Sequence, residues 1–592
     1  TTGRTLAPLQ QSPVSGVQTR RTANLQRSAT TVGASTDAPQ RTISTPRNFL
    51  DRLSNLVTNK QSNQQQNLRN LSTILLPPEP QSFSDALSSD EKDKWIEAIQ
   101  IELNAHAKNN TWLVVPKPLD IKEITAKWVF KRKLTPDNQV ERYKARLVAR
   151  GFTQTEGIDY KEIFAPVVRM DSVRLLFSIC AQLKLEYYQF DIATAFLNGN
   201  IEEEIYLEPP EGLEVQDGHT LRLKRSLYGL KQSPRCWNKR LNEILLEFGM
   251  KQTASDPCVF ISTTAELLIL ALYVDDGLVF AKDQSTINKL VNFLKTKVDI
   301  NAVKSSCFVG IEILRKSDGS ILLHQRSYIA RMIKRYGMQD CRGVATPMEL
   351  NHALNKPEIL TQPIIQNNDY ATAIGSLLWC AMATRPDIAY ALSVLSKHTQ
   401  APREAHWTAV KRVFRYLKTT IDHGLKYQHC AEPTITCFSD ADWGGDQENR
   451  RSTSGMVILY ANGLVSYKAQ QQAVVACSTT EAEYISASLA VKDIIWVSRF
   501  VKELKAPLSL KPLLLCDNQS AIKLIRNPEF HQRSKHIDIR YHFIRDSYEA
   551  GYFDLEYVNT EQQLADLCTK SMTSERHHSL KNAIGCITGG EE

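Results

Sequence analysis

Along this chain the apolar positions change period several times, and each change marks a boundary. Over residues 84–103 they recur at helical spacing, through Ala86, Leu87, Trp95, Ile96, Ala98, Ile99 and Leu103. Two β-like runs follow, 127–132 and 142–148, separated by Pro136-Asp137-Asn138, which predicts a hairpin. Lys144 and Arg146 are two apart and so share one face of it. That face reads either as a solvated basic edge or as a phosphate-binding surface. Residues 171–183 predict a helix, and 187–191 an aromatic strand ending in Asp191. Leu227-Tyr228-Gly229-Leu230-Lys231-Gln232-Ser233-Pro234 is a turn-rich entry to a helix from 235 to about 248. Amphipathic helical stretches then occupy 370–383, 388–398 and 406–418. After Pro433 the order becomes strand, hairpin, helix, strand, helix, which predicts a further α/β domain.

One segment breaks the apolar pattern sharply. Leu267 to Leu272 and Gly277 to Phe280 read as two buried strands, yet Asp275 and Asp276 sit side by side at the turn between them. Burying two adjacent ionised carboxylates is costly unless a cation neutralises them. The pair therefore predicts a divalent metal and a third acid from elsewhere, for which Asp191 is the candidate.

Composition adds little until the charge is located. The formal net charge is +8. Residues 1–80 hold nine basic and three acidic residues, 9 − 3 = +6, leaving +2 for the other 512. This arm is also rich in Gln, Ser, Thr and Asn, and is expected to be disordered. It reads as a nucleic-acid-binding arm or as a linker left from processing. No apolar run reaches the roughly 18–20 residues that span a bilayer, so no membrane role is expected. The twelve Cys are scattered without a Cys-x-x-Cys pair, which suggests free thiols in a reducing compartment. The chain opens on Thr1, so a processed product or a fragment is expected.

Seven motifs, in order, resemble the reverse transcriptase and ribonuclease H part of a copia-type long-terminal-repeat retrotransposon Pol polyprotein. They are Tyr143-Lys144-Ala145-Arg146-Leu147-Val148-Ala149-Arg150-Gly151-Phe152; Asp191 with Thr194-Ala195-Phe196-Leu197-Asn198-Gly199; Ser226-Leu227-Tyr228-Gly229-Leu230-Lys231-Gln232; Tyr273-Val274-Asp275-Asp276; Gly375-Ser376-Leu377-Leu378; Thr384-Arg385-Pro386-Asp387-Ile388; and Ser478-Thr479-Thr480-Glu481-Ala482-Glu483-Tyr484. The resemblance covers about residues 76–570. It implies a multidomain α+β and α/β chain: a right-hand polymerase of fingers, palm and thumb, then a connection and an RNase H-like domain. The expected division is a basic linker (1–80), fingers and palm (81–300), primer-positioning hairpin and thumb (301–350), helical thumb or connection (351–430), RNase H-like domain (431–572) and a C-terminal tail (573–592).

Asp191, Asp275 and Asp276 then match the acids that gather two Mg²⁺, with Mn²⁺ as a substitute, for nucleotidyl transfer. Phe196 matches the aromatic residue under the incoming sugar, where a ring excludes a 2′-hydroxyl. Lys144 or Arg146 matches a triphosphate contact, and the resemblance makes Tyr228 and Gly229 further substrate-binding candidates. Cys307-Phe308-Val309-Gly310-Ile311-Glu312-Ile313 resembles the hairpin that positions the primer end.

In the C-terminal domain Asp440 and Asp517 end predicted strands, Glu483 sits on a predicted helix, and Asp566 lies in a terminal helix. They resemble the four acids of RNase H, again with two metals. Glu481 is the alternative to Glu483, and Asp442 reads as a nearby surface acid. The sequence departs from many RNases H in one respect: Asn559-Thr560-Glu561 runs straight toward Asp566, leaving no room for a His-bearing loop. His536 or His542 is a candidate substitute, though an exposed helical His is the plain reading. Without an Asp-Ser-Gly or Asp-Thr-Gly triplet or a zinc knuckle, the chain reads as the downstream part of such a polyprotein.

The resemblance implies RNA-directed DNA synthesis with RNase H activity on RNA template, DNA primer, RNA–DNA hybrid and dNTPs. It also implies a primer tRNA and the element's integrase as partners, in cytoplasmic virus-like particles with nuclear delivery of the product. The alternatives are a domesticated, catalytically inert nucleic-acid-binding remnant and a telomerase-like host polymerase.

Overall fold

In the computed structural model the described residues are 77–134, 139–302, 306–350, 352, 354, 357–365, 368–527 and 538–589. The basic arm before residue 77, Pro136-Asp137-Asn138 and His536 lie outside them.

The expected hairpin forms from Ala126–Leu134 and Val140–Ala149, antiparallel, and its apolar side packs on the helix Lys92–Lys108 through Trp95, Phe130 and Leu147. Next to it, His219–Leu223 pairs with both Trp112–Pro116 and Tyr206–Leu207 in a small sheet. The central sheet has six strands, in the order Ile300–Ala302, Glu186–Ile192, Asp276–Ala281, Leu268–Tyr273, Val259–Ser262, Met250–Gln252. Its strands are apolar on both faces because helices cover both. Met170–Leu183 lies on one side, while Ser233–Phe248 and Gln284–Lys295 lie on the other. Ser233–Phe248 has Pro at its first turn and ends on Gly249 at φ 91°, in accord with the usual start and stop chemistry of helices.

The stretch resembling a primer-positioning hairpin forms Cys307–Phe308 and Ile311–Arg315, joined through Val309 and Gly310 at positive φ. Their sheet continues through Ile321–His324 and His423–Tyr427 to a last strand, Cys586–Thr588. The terminal stretch expected as a tail thus holds a helix, Ser574–Ala583, and a strand. Burial of Leu580, Ile584 and Cys586 explains why it folds. A helical layer, Asn368–Ala383, Ala389–Leu395 and Glu404–Thr419, has its own core. Its centre is a fully buried Arg385–Asp387 pair at 2.7 Å, completed by the Tyr416 hydroxyl and by Thr420.

The C-terminal sheet has the order Gly463–Gln471, Thr453–Tyr460, Ile435–Asp442, Leu513–Cys516, Asp554–Tyr557. Its first two pairings are antiparallel and its last two parallel. The 25-residue helix Thr479–Glu503 crosses it, capped by the Ser478 side chain, which accepts from the Glu481 N–H.

Two candidate active sites

The first site is built by strand register. Asp276 pairs directly with Asp191, so both side chains project from the same face of adjacent strands. Asp275 occupies the turn, where its carbonyl accepts from the Ile192 N–H at 2.9 Å. Val274 makes that turn at φ 60°, a costly conformation for a β-branched residue, and the Trp237 indole N–H holds it by donating to the Val274 carbonyl at 2.8 Å. After the acids, a Cβ on Gly277 would lie 2.3 Å from the Phe190 ring, so only glycine lets the strands approach this closely. Burial, and then the negative charges of Asp275 and Asp191, push the Asp276 carboxyl up to about 6. Burial also raises Asp275, with Asp191 adding to it.

The hairpin reaches this site through its inner end. Ala149 N–H donates to the Tyr228 carbonyl at 2.7 Å, and Gly229, at φ 93°, sits where a Cβ would be 2.1 Å from the Ala149 carbonyl. This contact fixes Tyr228. Its ring meets Phe196 edge-on at 5.0 Å, and the Arg146 guanidinium lies 5.1 Å from its centre. Lys144 shares the hairpin face with Arg146 and is half-buried. Burial, reinforced by Arg146 and Arg142, lowers it to about 8, with Asp191 pulling the other way. Phe196 is half-buried in the short 3₁₀ turn Ala195–Asn198, with its carbonyl held by the Ser226 hydroxyl.

The second site lies at the ends of the C-terminal strands. Asp440 is on Ile435–Asp442, Glu483 on the long helix, Asp517 just after Leu513–Cys516, and Asp566 opens the four-residue helix Asp566–Thr569. Ligand atoms of Glu483, Asp517 and Cys516 lie within 4.8 Å of one another. Burial keeps the Cys516 thiol protonated, so the two carboxylates are the useful donors. One Glu483 oxygen, Oε2, is buried without a hydrogen-bond partner. Burial followed by the Asp440 and Asp517 charges holds this carboxyl far above its usual range. A buried, unpartnered carboxylate oxygen aimed among other acids fits a hard divalent cation.

Asp440 and Asp566 are arranged differently. Lys570 Nζ lies 3.2 Å from Asp440 and 2.8 Å from Asp566, and Arg576 lies 3.2 Å from the other Asp566 oxygen. The Thr569 hydroxyl also donates to Asp440. Burial raises Asp440 and Lys570 opposes it. The competing residues separate cleanly: Glu481 accepts from the Cys477 N–H at 2.7 Å as part of the helix start, and His542 is exposed on Asp538–Glu549. Asp442 is half-buried, and burial raises its carboxyl. Sequence reasoning missed Lys570 and Arg576; Lys570 follows the short helix Asp566–Thr569 in extended backbone, so no helical spacing marked it.

A strand pair whose turn gathers carboxylates with Asp191, and a five-stranded mixed sheet that carries four more acids, are the two candidate sites that the fold presents. A reverse transcriptase (RNA-dependent DNA polymerase) family profile matches residues 109–350. The Pol polyprotein of the transposon TNT 1-94 from Nicotiana tabacum is 38% identical over 517 residues, 86% of this chain and 39% of that polyprotein. The putative transposon Ty5-1 protein of Saccharomyces cerevisiae is 33% identical over 312 residues, 51% of this chain and its own full length. A foamy viral protease-reverse transcriptase solved with double-stranded DNA aligns over 78% of this chain and 69% of its own, with a TM-score of 0.43 and 13% identity. The chain belongs to the reverse transcriptases of copia-type retrotransposon Pol polyproteins, and it spans well under half the length of the tobacco relative.

Proposed function

We propose that this chain copies RNA into DNA at Asp191, Asp275 and Asp276, and degrades the copied RNA at Asp440, Glu483, Asp517 and Asp566. The observation that carries the reading is the convergence of two separate carboxylate groups, each raised by burial and by its own neighbours. A merely structural role gives no reason to keep either. Mg²⁺ is the proposed ion at both sites, where it would activate the attacking hydroxyl or water and neutralise phosphate charge. The chain's own residues account for the rest. Asp191 and Asp276, opposed in register, present their oxygens on one side of the sheet. The charges of Lys144 and Arg146 both act on Asp275, and Lys144 is available to a triphosphate. Phe196, braced by Tyr228, closes the space beneath a sugar. At the second site Glu483 offers an unpartnered oxygen close to Asp517, while Lys570 holds Asp440 and Asp566.

Purified protein with an RNA template, a DNA primer, dNTPs and Mg²⁺ is expected to extend the primer and fragment the template. Loss of even an outer-shell partner of a metal ligand costs about 10–100-fold, so loss of a ligand costs more. Asp276→Asn should therefore reduce extension to below about one hundredth while sparing RNA cleavage, and Asp440→Asn should do the reverse. If both activities survived either change, the assignment would fall. Phe196→Ala is expected to increase ribonucleotide incorporation about tenfold or more, the scale of a steric filter. Unchanged selectivity would remove Phe196 from that role.

A further inference from the structure

The polymerase sheet and the RNase H-like sheet share one hydrophobic core, and the helix Met170–Leu183 lies within it, packed against the strand Gly463–Gln471. Arg174 of this helix is only 3% exposed, a rare location for a guanidinium. Its Nε donates to the Val465 carbonyl at 2.7 Å, and its Nη1 donates to the carbonyls of Met382 at 2.5 Å and Ala383 at 3.2 Å. Its Nη2 pairs with Asp171, and its plane lies 4.7 Å from the Tyr467 ring. One side chain thereby joins the palm helix, the end of Asn368–Ala383 and the C-terminal sheet.

Two more residues continue this line at four-residue intervals, the spacing of a single helical stripe. Ser178 donates to the Tyr460 carbonyl at 2.9 Å. The Gln182 side chain makes a reciprocal pair, 2.8 Å in both directions, with the backbone of Cys430, in the link that leads into the C-terminal domain's strand Ile435–Asp442. A Cβ on Gly463 would lie 2.6 Å from the Tyr427 ring and 3.1 Å from Ser178 Oγ, so the strand approaches the stripe as only glycine permits. A second attachment lies beyond it, where Trp496 of the long helix donates to the Ser255 carbonyl at 2.9 Å and Arg169 stacks 4.1 Å over its ring.

The placement of this stripe matters for both sites. Two residues after Lys184 the chain enters Glu186–Ile192, which carries Asp191. On the other side, Tyr460 ends the strand paired along its length with Ile435–Asp442, which carries Asp440. We infer that Arg174, Ser178 and Gln182 dock the RNase H-like domain on the palm in one orientation, and that Arg174 is a positioning residue setting where along the hybrid the RNA is cut relative to the primer end. This rests on the proposed function for its catalytic readout, not for the docking itself.

The experiment uses the full chain on a hybrid with a labelled RNA strand and a recessed, unextendable primer. Wild-type protein should cut at one or two adjacent positions set by the primer terminus. Arg174→Ala and Gln182→Ala should retain extension and total RNA cleavage within about twofold while the cuts spread into a ladder. Hydrogen exchange over residues 174–183 and 463–467 should rise at least tenfold in Arg174→Ala, and needs no catalysis. A sharp, unshifted cut in a variant that still extends primers would overturn the positioning claim. Unchanged exchange would overturn the docking claim. If Arg174→Ala fails to fold, Gln182→Ala and Ser178→Ala carry the same test. If the wild type extends but never cuts RNA, the proposed second activity fails, and exchange alone decides the docking.

Discussion

The two carboxylate clusters solve the same electrostatic problem in opposite ways. At the polymerase site, among the described residues, no cation is in hydrogen-bonded contact with Asp191, Asp275 or Asp276, and Lys144, one of the basic groups acting on them, is itself weakened by burial. At the RNase H-like site half of the set, Asp440 and Asp566, is tied to Lys570 and Arg576, while Asp517 accepts from the neutral Thr560 hydroxyl at 3.1 Å and Glu483 keeps a buried, unpartnered Oε2. Like charges left unpaired in a low-dielectric site titrate upward and demand an external ion; a built-in ammonium relieves part of that demand. The first site is therefore poised for metal, whereas the second must release a resident cation from its acids for metal to take full hold.

The largest expected consequence concerns metal affinity. Lys570→Met removes both a competitor and a repelling charge, which act in the same direction. At pH 8, calorimetric or Mn²⁺-resonance titration should show tighter binding at the RNase H-like site by about tenfold or more, the scale of perturbing a ligand's partner. The Mg²⁺ requirement of primer extension should not move. Equal shifts at both sites, or none, would erase the distinction between the clusters.

A smaller effect separates them by pH. Asp276 has a folded value raised to about 6 from a reference near 3.8. A raised carboxyl favours the fold when protonated, so its contribution is present at low pH and is lost as pH rises through about 6. Metal restores what is lost. The Mg²⁺-induced gain in melting temperature should thus be larger at pH 7.5 than at pH 5.5, and Asp276→Asn should flatten the difference. A gain independent of pH in the wild type would show that these acids are not paired as described.

What the sequence made legible follows from physical range. Asp275 and Asp276 stood out because the apolar strands around them left no other reading, and Asp191 because an aromatic strand ended on it. The strand ends at Asp440 and Asp517 were visible for the same reason. Lys570 was not, because its partner Asp440 is 130 residues away in the chain and nothing local reveals the pairing. Arg174 was hidden more deeply. It interrupts the apolar run Val173 to Phe177, which signals something unusual, but its acceptor on Val465 lies 291 residues on. Local pattern finds charges that are out of place; only the fold tells what they hold. The sequence also left Lys144 and Arg146 unresolved, and here their surroundings differ: Arg146 lies over the Tyr228 ring and Lys144 is the one lowered by burial, while the charges of both act on Asp275.

That separation yields the smallest and most selective effect. Lys144 is lowered to about 8, so the free protein carries most of a positive charge there at pH 7 and loses it as pH rises past about 8. The pH dependence of kcat/KM reports groups of the free enzyme. If Lys144 contacts the triphosphate, kcat/KM for dNTP should fall above about pH 8 through a rise in KM. Lys144→Gln should show a KM raised several-fold at pH 7, the scale of one exposed-to-half-buried charge contact, and should lack the fall near pH 8. Arg146→Gln should keep that fall and should instead disturb Tyr228 and, through it, the sugar selectivity of Phe196. The reverse pattern, with the pH-dependent limb lost in Arg146→Gln and kept in Lys144→Gln, would exchange the two roles and place the mobile charge of the polymerase site on the other strand position.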